Sequence, residues 1–227
     1  MTSALLRFFD IFFSGFALCV LSPLLILIIF ILRFTGEGEV FFFQERIGKN
    51  AKKIKLFKFA TMLKNSENIG TGTVTLKNDE RILPFGHFLR KTKINELPQL
   101  INIFLGDMSI IGPRPQTKRC FEAFPNKAKK EIIKIKPGLS GIGSIIFRDE
   151  EEMMTGHKDP NDFYDNQIMP YKGTLEEWYV KNQNVYYYFL LIYLTIVVIF
   201  SSKKLVVWNY IKDLPRPNKN LLKYFLD

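Results

Sequence analysis

Lys93-Ile94-Asn95-Glu96-Leu97-Pro98-Gln99-Leu100, continued by Gly106-Asp107-Met108-Ser109-Ile110-Ile111-Gly112-Pro113-Arg114-Pro115, is the stretch on which the reading of this chain turns. It sets a polar pair at a helix start, then an apolar face, then a turn that aims an arginine. Asn95 is a residue type that caps helices, which puts Glu96 and Pro98 in the first turn, where proline's missing N–H has no intrahelical partner. Leu97, Leu100, Ile101 and Phe104 recur at helical spacing and define one buried face. The free N–H groups of such a start, with the helix dipole, attract anions. Two prolines stiffen the turn and restrict the residues before them, so Arg114 is presented as a fork suited to phosphate. Alone, the stretch reads as an anion site with an acid beside it, or as a packed helix and rigid turn without chemistry.

The 227 residues carry a formal net charge of +10, which calls for an acidic partner. Hydrophobic residues make up 47% and Phe alone numbers 22, a mixture that favours an anionic membrane surface over nucleic acid. No zinc-finger spacing or RNA-binding signature is present, so nucleic acid is not expected as a partner. Cys19 and Cys120 are far apart and read as reduced thiols facing the cytosol. His87 and His157 show no metal-ligand spacing.

Residues 1–36 form the first unit. Ala17 to Leu32 is uncharged and is flanked by Arg7, Asp10 and Arg33. No small-residue cleavage site follows, which speaks against a signal peptide. The segment can just supply the roughly 20 apolar residues of a transmembrane helix, but Ser22-Pro23 interrupts it. Proline there frees a backbone carbonyl and kinks the helix, and a nearby serine can bond the exposed backbone. Such a segment either spans the bilayer or bends and leaves by the face it entered.

Residues 37–202 form the second unit. Val40 to Gly48, a turn at Lys49-Asn50-Ala51, and Lys53 to Phe59 read as a β-hairpin, with phenylalanines on one face and lysines on a solvated or headgroup-facing other. Asn65 to Lys77 reads as a loop and Arg81 to Lys91 as a short helix with Arg90 near its end. Lys118 to Lys136 looks helical with an interruption at Pro125. Pro137 to Phe147 reads as a Gly-rich turn and then a strand. Arg148-Asp149-Glu150-Glu151-Glu152 reads as a solvated acidic loop or helix start, and Asp159-Pro160-Asn161-Asp162 as a helix N-terminus. Leu175 to Phe200 is a second apolar unit that either spans or lies in the interface as a helix, with Tyr186-Tyr187-Tyr188 and Lys203-Lys204 resembling interfacial anchors. Residues 203–227 read as a basic tail that touches anionic lipid.

An N-terminal apolar helix broken at Ser22-Pro23, Asn95-Glu96 before Leu97-Pro98-Gln99-Leu100, and Gly106-Asp107-Met108-Ser109 followed by Gly112-Pro113-Arg114-Pro115 together resemble the bacterial sugar transferase family of monotopic phosphoglycosyl transferases. Phe41 to Gly48 and Phe57-Lys58-Phe59 also look like family segments, and the resemblance runs from about Ala4 to Phe200. It implies an α+β fold: a mostly helical monotopic membrane protein with an N-terminal re-entrant membrane helix, a small β-hairpin and interfacial amphipathic helices. It implies transfer of a sugar-1-phosphate from a UDP-sugar to a polyprenol (undecaprenyl) phosphate, with UMP leaving and Mg²⁺ assisting, at the cytoplasmic face of the bacterial inner membrane. This is the first membrane step of glycan assembly, and a homodimer is among the partners to be tested. By position, Arg114 and Arg90 match phosphate-contacting arginines, Ser22 and Pro23 match the helix break, and Glu96 matches the glutamate of an Asp-Glu pair. Glu176 or Glu177 falls near an acidic position.

Asn95 departs from the family, which has a nucleophilic aspartate there. An amide has no anionic oxygen to attack phosphorus. Three expectations follow: Glu96 attacks while Asn95 caps the helix or helps Glu96 hold Mg²⁺; the lipid phosphate attacks directly; or the chain is a catalytically impaired membrane-surface scaffold that binds lipid phosphate. Ala60 stands where the family often has arginine, and Ser144 to Phe147 replaces its usual Trp-Ala-Gln-Val. An ordinary glycosyltransferase would release UDP and needs a repeating βα pattern, which the sequence does not show.

Overall fold

Thr2–Phe34 forms one uninterrupted helix, α1, in the computed structural model, which describes residues 2–69, 75, 79–155, 157–201 and 206–225. The expected break at Ser22-Pro23 is a repaired position inside this helix, not a gap between two. Ser22 Oγ donates to the Cys19 carbonyl at 2.8 Å, the acceptor that Pro23 leaves without its helical donor. At 1.5 Å per residue α1 is about 50 Å long. It is the one described helix long and apolar enough to cross a membrane.

Of the charges that flank its apolar run, Arg7 and Asp10 turn inward, while Arg33 is exposed and donates to the Gly38 carbonyl at 3.2 Å. Arg7 donates to the carbonyls of Ile103 at 2.5 Å and Phe104 at 2.7 Å, closing the end of α3 (Gln99–Leu105). Asp10 is buried, and its Oδ1 accepts from Ser109 Oγ, the Ile110 N–H and the Tyr188 hydroxyl, each at 2.9 Å. Further along, Ala17, Leu18 and Leu21 pack against Leu56, Leu100 and Ile103. Near the far end Ile28 and Leu32 pack with Phe59 and Leu89. The opposite face exposes Phe8, Phe12, Phe16, Val20, Leu24 and Leu27 at helical spacing.

The hairpin forms as read: β1 (Phe41–Ile47) pairs antiparallel with β2 (Lys53–Phe59) across a 3₁₀ turn at Lys49–Ala51. Its faces differ from the expectation. Phe41 stands opposite Phe59 and Phe43 opposite Phe57, but Lys53 and Lys55 share that face. Leu56-Phe57 breaks the alternation of basic and apolar residues, so Lys58 falls on the other face with Gln44 and Arg46. Asn102 of α3, fully buried, takes the Phe57 N–H at 2.9 Å and donates to the Lys55 carbonyl at 2.8 Å. One amide thus seats the hairpin on α3.

α2 (Pro84–Lys91) precedes α3, and β3 (Ser109–Ile111) follows it. α4 (Lys118–Glu122) and α5 (Asn126–Ile132) are separated at Pro125, as expected. β4 (Gly138–Ser140) returns parallel to β3. A Cβ on Gly138 would lie 2.1 Å from the Gly112 nitrogen, so the two backbones can touch only without a side chain there. The segment expected as a strand after this turn is instead α6 (Ile142–Ile146). Ile142, Ile145 and Ile146 are buried at helical spacing, and that packing overrides their β-propensity.

α7 (Glu150–Met153) and α8 (Pro160–Phe163) follow. Asp159 caps α8 by accepting the Asn161 and Asp162 N–H groups, each at 3.0 Å. A π-helical turn, Tyr164–Ile168, leads into α9 (Met169–Asn182). The second apolar unit is split at Gln183-Asn184 before α10 (Val185–Ser201). Tyr188, Leu191, Leu194 and Val198 of α10 enter the main core, while Tyr186, Phe189, Tyr193, Ile196 and Ile199 stay exposed. α11 (Val206–Tyr210) and α12 (Lys219–Leu222) add Val207, Trp208 and Leu221 to that core. The segment read as a basic tail is therefore packed, with Lys212, Lys219 and Lys223 left outward. Lys203-Lys204 and much of the Asn65–Lys77 loop lie outside the described residues. The described chain is mostly helical, with two small two-stranded sheets.

Candidate active site

Lys93, at φ 59° and ψ 11°, closes α2 in the left-handed region and turns the chain into a 3₁₀ turn at Ile94–Glu96. α3 begins only at Gln99. Asn95 is therefore inside the 3₁₀ turn and does not cap α3, and Pro98 stands just before the helix instead of within it. The buried face is Gln99, Leu100, Asn102 and Ile103. Phe104 is 46% exposed and lies beside Gly15 of α1.

The Pro-Arg-Pro turn extends β3. Gly112 N–H donates to the Ser140 carbonyl and Gly138 N–H to the Pro113 carbonyl, both at 2.9 Å. Arg114 is thereby aimed at Glu96. Its Nη2 donates to Glu96 Oε1 at 2.7 Å and its Nη1 to Oε2 at 3.4 Å. Burial favours the neutral acid, but the charges of Arg114 and then Lys58 outweigh it and hold Glu96 well below the usual carboxylate range. Arg114 is raised in turn, chiefly by Glu96. The acid and the fork predicted as partners are an ion pair.

Around them lies a cavity of about 1240 Å³. Arg46, Lys58, Arg90, Arg114 and Lys172 bring positive charge to its wall, with Asn95 and Glu96 between them. Gln44 Oε1 accepts from the Arg46 guanidinium and, at 3.4 Å, from Lys58 Nζ. Desolvation, with the Arg46 charge second, brings the Lys58 ammonium down to about 7. Burial, then the Arg114 charge, also lowers Arg46. Arg90 lines the cavity as expected, and its Nη2 holds Glu151 at 2.7 Å. Fully buried Lys172 holds Glu150 at 2.5 Å. The acidic run thus folds over the cations instead of standing in solvent.

Glu176 completes the rear of the site. It is fully buried, and its Oε1 accepts the Arg114 backbone N–H at 3.2 Å. Burial pushes its carboxyl up to about 7. A Cβ on Gly143 would come within 2.4 Å of Oε1, so that glycine makes room for it. Among the described residues, Asn95 Oδ1, Gln116 Nε2 and Ser144 Oγ are buried at residues lining the cavity and have no protein partner. Apolar side chains line the cavity too, among them Phe41, Phe43, Ile192, Ile196, Val198 and Ile199.

Arg46, Lys58, Glu150, Glu151 and Lys172 escape a linear reading of function. Strand period does place Gln44, Arg46 and Lys58 on one face, and that signal was available. Nothing in the sequence brings 150–152 and 172 to residue 90 or 114. Ser22 and Pro23 lie on α1 and do not line the cavity.

The arrangement sets cationic and apolar side chains around one cavity. The chain is 34% identical over 163 residues to the exopolysaccharide production protein ExoY of Sinorhizobium fredii, covering 66% of this chain and 72% of that one. It is 36% identical over 143 residues to a UDP-glucose:undecaprenyl-phosphate glucose-1-phosphate transferase of Klebsiella pneumoniae, covering 61% of this chain but 30% of that one. An Aeromonas hydrophila protein named UDP-N-acetylgalactosamine-undecaprenyl-phosphate N-acetylgalactosaminephosphotransferase is 32% identical over 142 residues, 62% of this chain and 33% of its own length. The family model described as bacterial sugar transferase matches residues 1–202, and the chain belongs to that family.

Proposed function

We propose that this transferase moves a sugar-1-phosphate from a UDP-sugar to a polyprenol phosphate, releasing UMP and leaving a polyprenol-diphosphate-sugar for glycan assembly. The observation that carries the reading is one cavity lined by both a cluster of cations and apolar side chains. Arg46, Lys58, Arg90 and Arg114 suit a diphosphate, while Phe41, Phe43 and the α10 residues Ile192, Ile196 and Ile199 suit a prenyl chain. Phosphoryl transfer asks the protein mainly for alignment and charge neutralisation. Arginine forks supply both through paired hydrogen bonds. Proximity supplies the rest, since both phosphates are brought to one site from two phases.

Mg²⁺ suits the oxygens present. Asn95 Oδ1 is buried without a partner beside the Glu96 carboxylate, and the ion typically takes one or two such protein oxygens plus phosphate and water. When bound, it neutralises charge on the diphosphate. Glu96 and Asn95 would hold it, and Glu96 also keeps Arg114 pointing into the site.

The chain sits in one leaflet in this proposal, with both ends of α1 on the cytoplasmic side of the bacterial inner membrane. α1 packs near its start, middle and end on apolar residues of the elements that carry the site, among them Ile111, Leu100 and Leu89. A helix crossing the bilayer upright would carry one end about 30 Å away from them. α1 meets α10 where Phe9 and Phe189 pack at 4.9 Å, so the exposed apolar residues of both helices lie on adjoining elements.

The test is nucleotide release by the purified full chain with polyprenol phosphate in detergent or nanodiscs. UDP-glucose, UDP-galactose and UDP-N-acetylgalactosamine should be screened with and without Mg²⁺. UMP formation is expected with at least one. Release of UDP, or of no nucleotide from any sugar donor, overturns the reading.

A further inference from the structure

We propose that Glu150 supplies the carboxylate nucleophile that Asn95 cannot, a role that rests on the transferase reading above. Two observations converge. Asn95, 7% exposed, lines the cavity with a buried Oδ1 that has no partner, but an amide oxygen carries no negative charge. Glu96, next to it, is engaged by both terminal nitrogens of Arg114. Glu150 reaches the same cavity from α7, 54 residues further along, and its carboxylate is held by fully buried Lys172 at 2.5 Å. Arg114 and Tyr164 both feel its charge. Glu151, its neighbour, is drawn aside onto Arg90. Glu150 is therefore a carboxylate near the arginine fork, with the Lys172 ammonium in place to orient it.

The chemistry balances. A Glu150 carboxylate oxygen attacks the β-phosphorus of the UDP-sugar. The bond from that phosphorus to the bridging oxygen breaks, and UMP leaves with the electron pair. The enzyme is left as an acyl phosphodiester carrying the sugar. A phosphate oxygen of the polyprenol phosphate then attacks the same phosphorus, the bond to Glu150 breaks, and the carboxylate returns unchanged. No net proton is needed in either step. A carboxylate nucleophile divides one displacement between two anions into two easier ones.

The wild-type full chain settles it without relying on a variant that might not fold. Incubation with a UDP-sugar labelled in its β-phosphate, without lipid acceptor, followed by denaturation, digestion and fragmentation, should place the label on Glu150. Label on Glu96 or another residue, or turnover with no labelled enzyme, overturns the proposal. Glu150→Gln should lower UMP release by more than about 1,000-fold; it also strips the buried Lys172 ammonium of its carboxylate, so the melting temperature should fall, and the rate is read at a temperature where the variant is folded. Asn95→Asp placed in that variant should restore labelled enzyme, now on residue 95. A folded double variant that stays unlabelled counts against the proposal. A wild-type chain that releases no UMP at all sinks the transferase reading instead, so the two failures are distinguishable.

Discussion

Arg114 holds Glu96 in a forked ion pair, 2.7 Å on one arm and 3.4 Å on the other, although 18 residues separate them. The pair is made by two rigid local devices, a 3₁₀ turn that presents the acid and a β3 extension that presents the arginine. Neither charge is free to wander. An incoming diphosphate would therefore meet an oriented guanidinium that need only share its donors.

Removing one member should cost both stability and rate. Arg114→Ala leaves the Glu96 charge half-buried and unpaired, and a loss of about 2 kcal/mol is expected. That is less than the roughly 3–5 for a fully buried pair, because the Arg114 side chain keeps 30% exposure. UMP release should fall at least about 100-fold. Arg114→Lys should recover part of the stability and little of the rate, because an ammonium cannot fork. Thermal unfolding and nucleotide release check the two effects separately.

Lys58 should write a pH limb into the reaction. Its ammonium is brought down to about 7 by desolvation and by Arg46. Rising pH through that value removes a phosphate-binding charge, so kcat/KM is expected to fall there. Lys58→Arg should carry activity to higher pH, and Lys58→Met should lower activity and flatten the limb. A descending limb that survives in Lys58→Met would assign it to another group.

Glu176 should write a pH dependence into stability. Its carboxyl is raised from an ordinary 4.5 to about 7. Between those values the folded chain holds a proton that the unfolded chain has released. Stability from this group is thus complete below 4.5, declines as pH rises, and is lost by the time pH passes 7. Glu176→Gln keeps an acceptor for the Arg114 N–H and has no proton to lose. Its melting temperature relative to wild type should rise from pH 5 to pH 8. A constant difference across that range would contradict the assignment.

Asn102→Ala should detach the hairpin from α3. It strands the Phe57 N–H and the Lys55 carbonyl, and two unsatisfied backbone groups cost about 2–4 kcal/mol together. Lys58 lies one residue from Phe57, so KM for the sugar nucleotide should rise as well. A melting shift without a KM change would show that the hairpin keeps its place by other contacts.

Cysteine labelling tests the single-leaflet arrangement. Residues 3, 49 and 218, each replaced singly by cysteine in a Cys19→Ser, Cys120→Ser background, should be reached only from the cytoplasm. Labelling of residue 3 from the outer side would make α1 a spanning helix.

Local structure was legible wherever a short-range rule had no competitor. The hairpin registers because Lys49-Asn50-Ala51 sits between two strand-period runs. Pro125 ends α4, and Asp159 caps α8. At 142–146 three isoleucines look like a strand until a core selects their helical face. The Asn95 cap failed because Lys93 takes a left-handed turn, which nothing local in Thr92-Lys93 announces. Ser22-Pro23 was read rightly as a freed carbonyl and a rescuing serine. That rescue left α1 whole, since one side-chain hydrogen bond replaces the one proline removes.

By itself the sequence determined an apolar N-terminal helix, a hairpin, an acid before an apolar helix, and a proline-braced arginine, because each depends on residues within a few positions of one another. Only the tertiary structure decided that Glu150, Lys172 and Glu176 share a site with Glu96 and Arg114, and that Arg7 and Asp10 face the protein instead of the lipid. Those pairings join segments up to 178 residues apart, as Asp10 and Tyr188 do. Such contacts are chosen by how whole faces pack and which buried charges find partners, and no spacing rule along the chain encodes that choice.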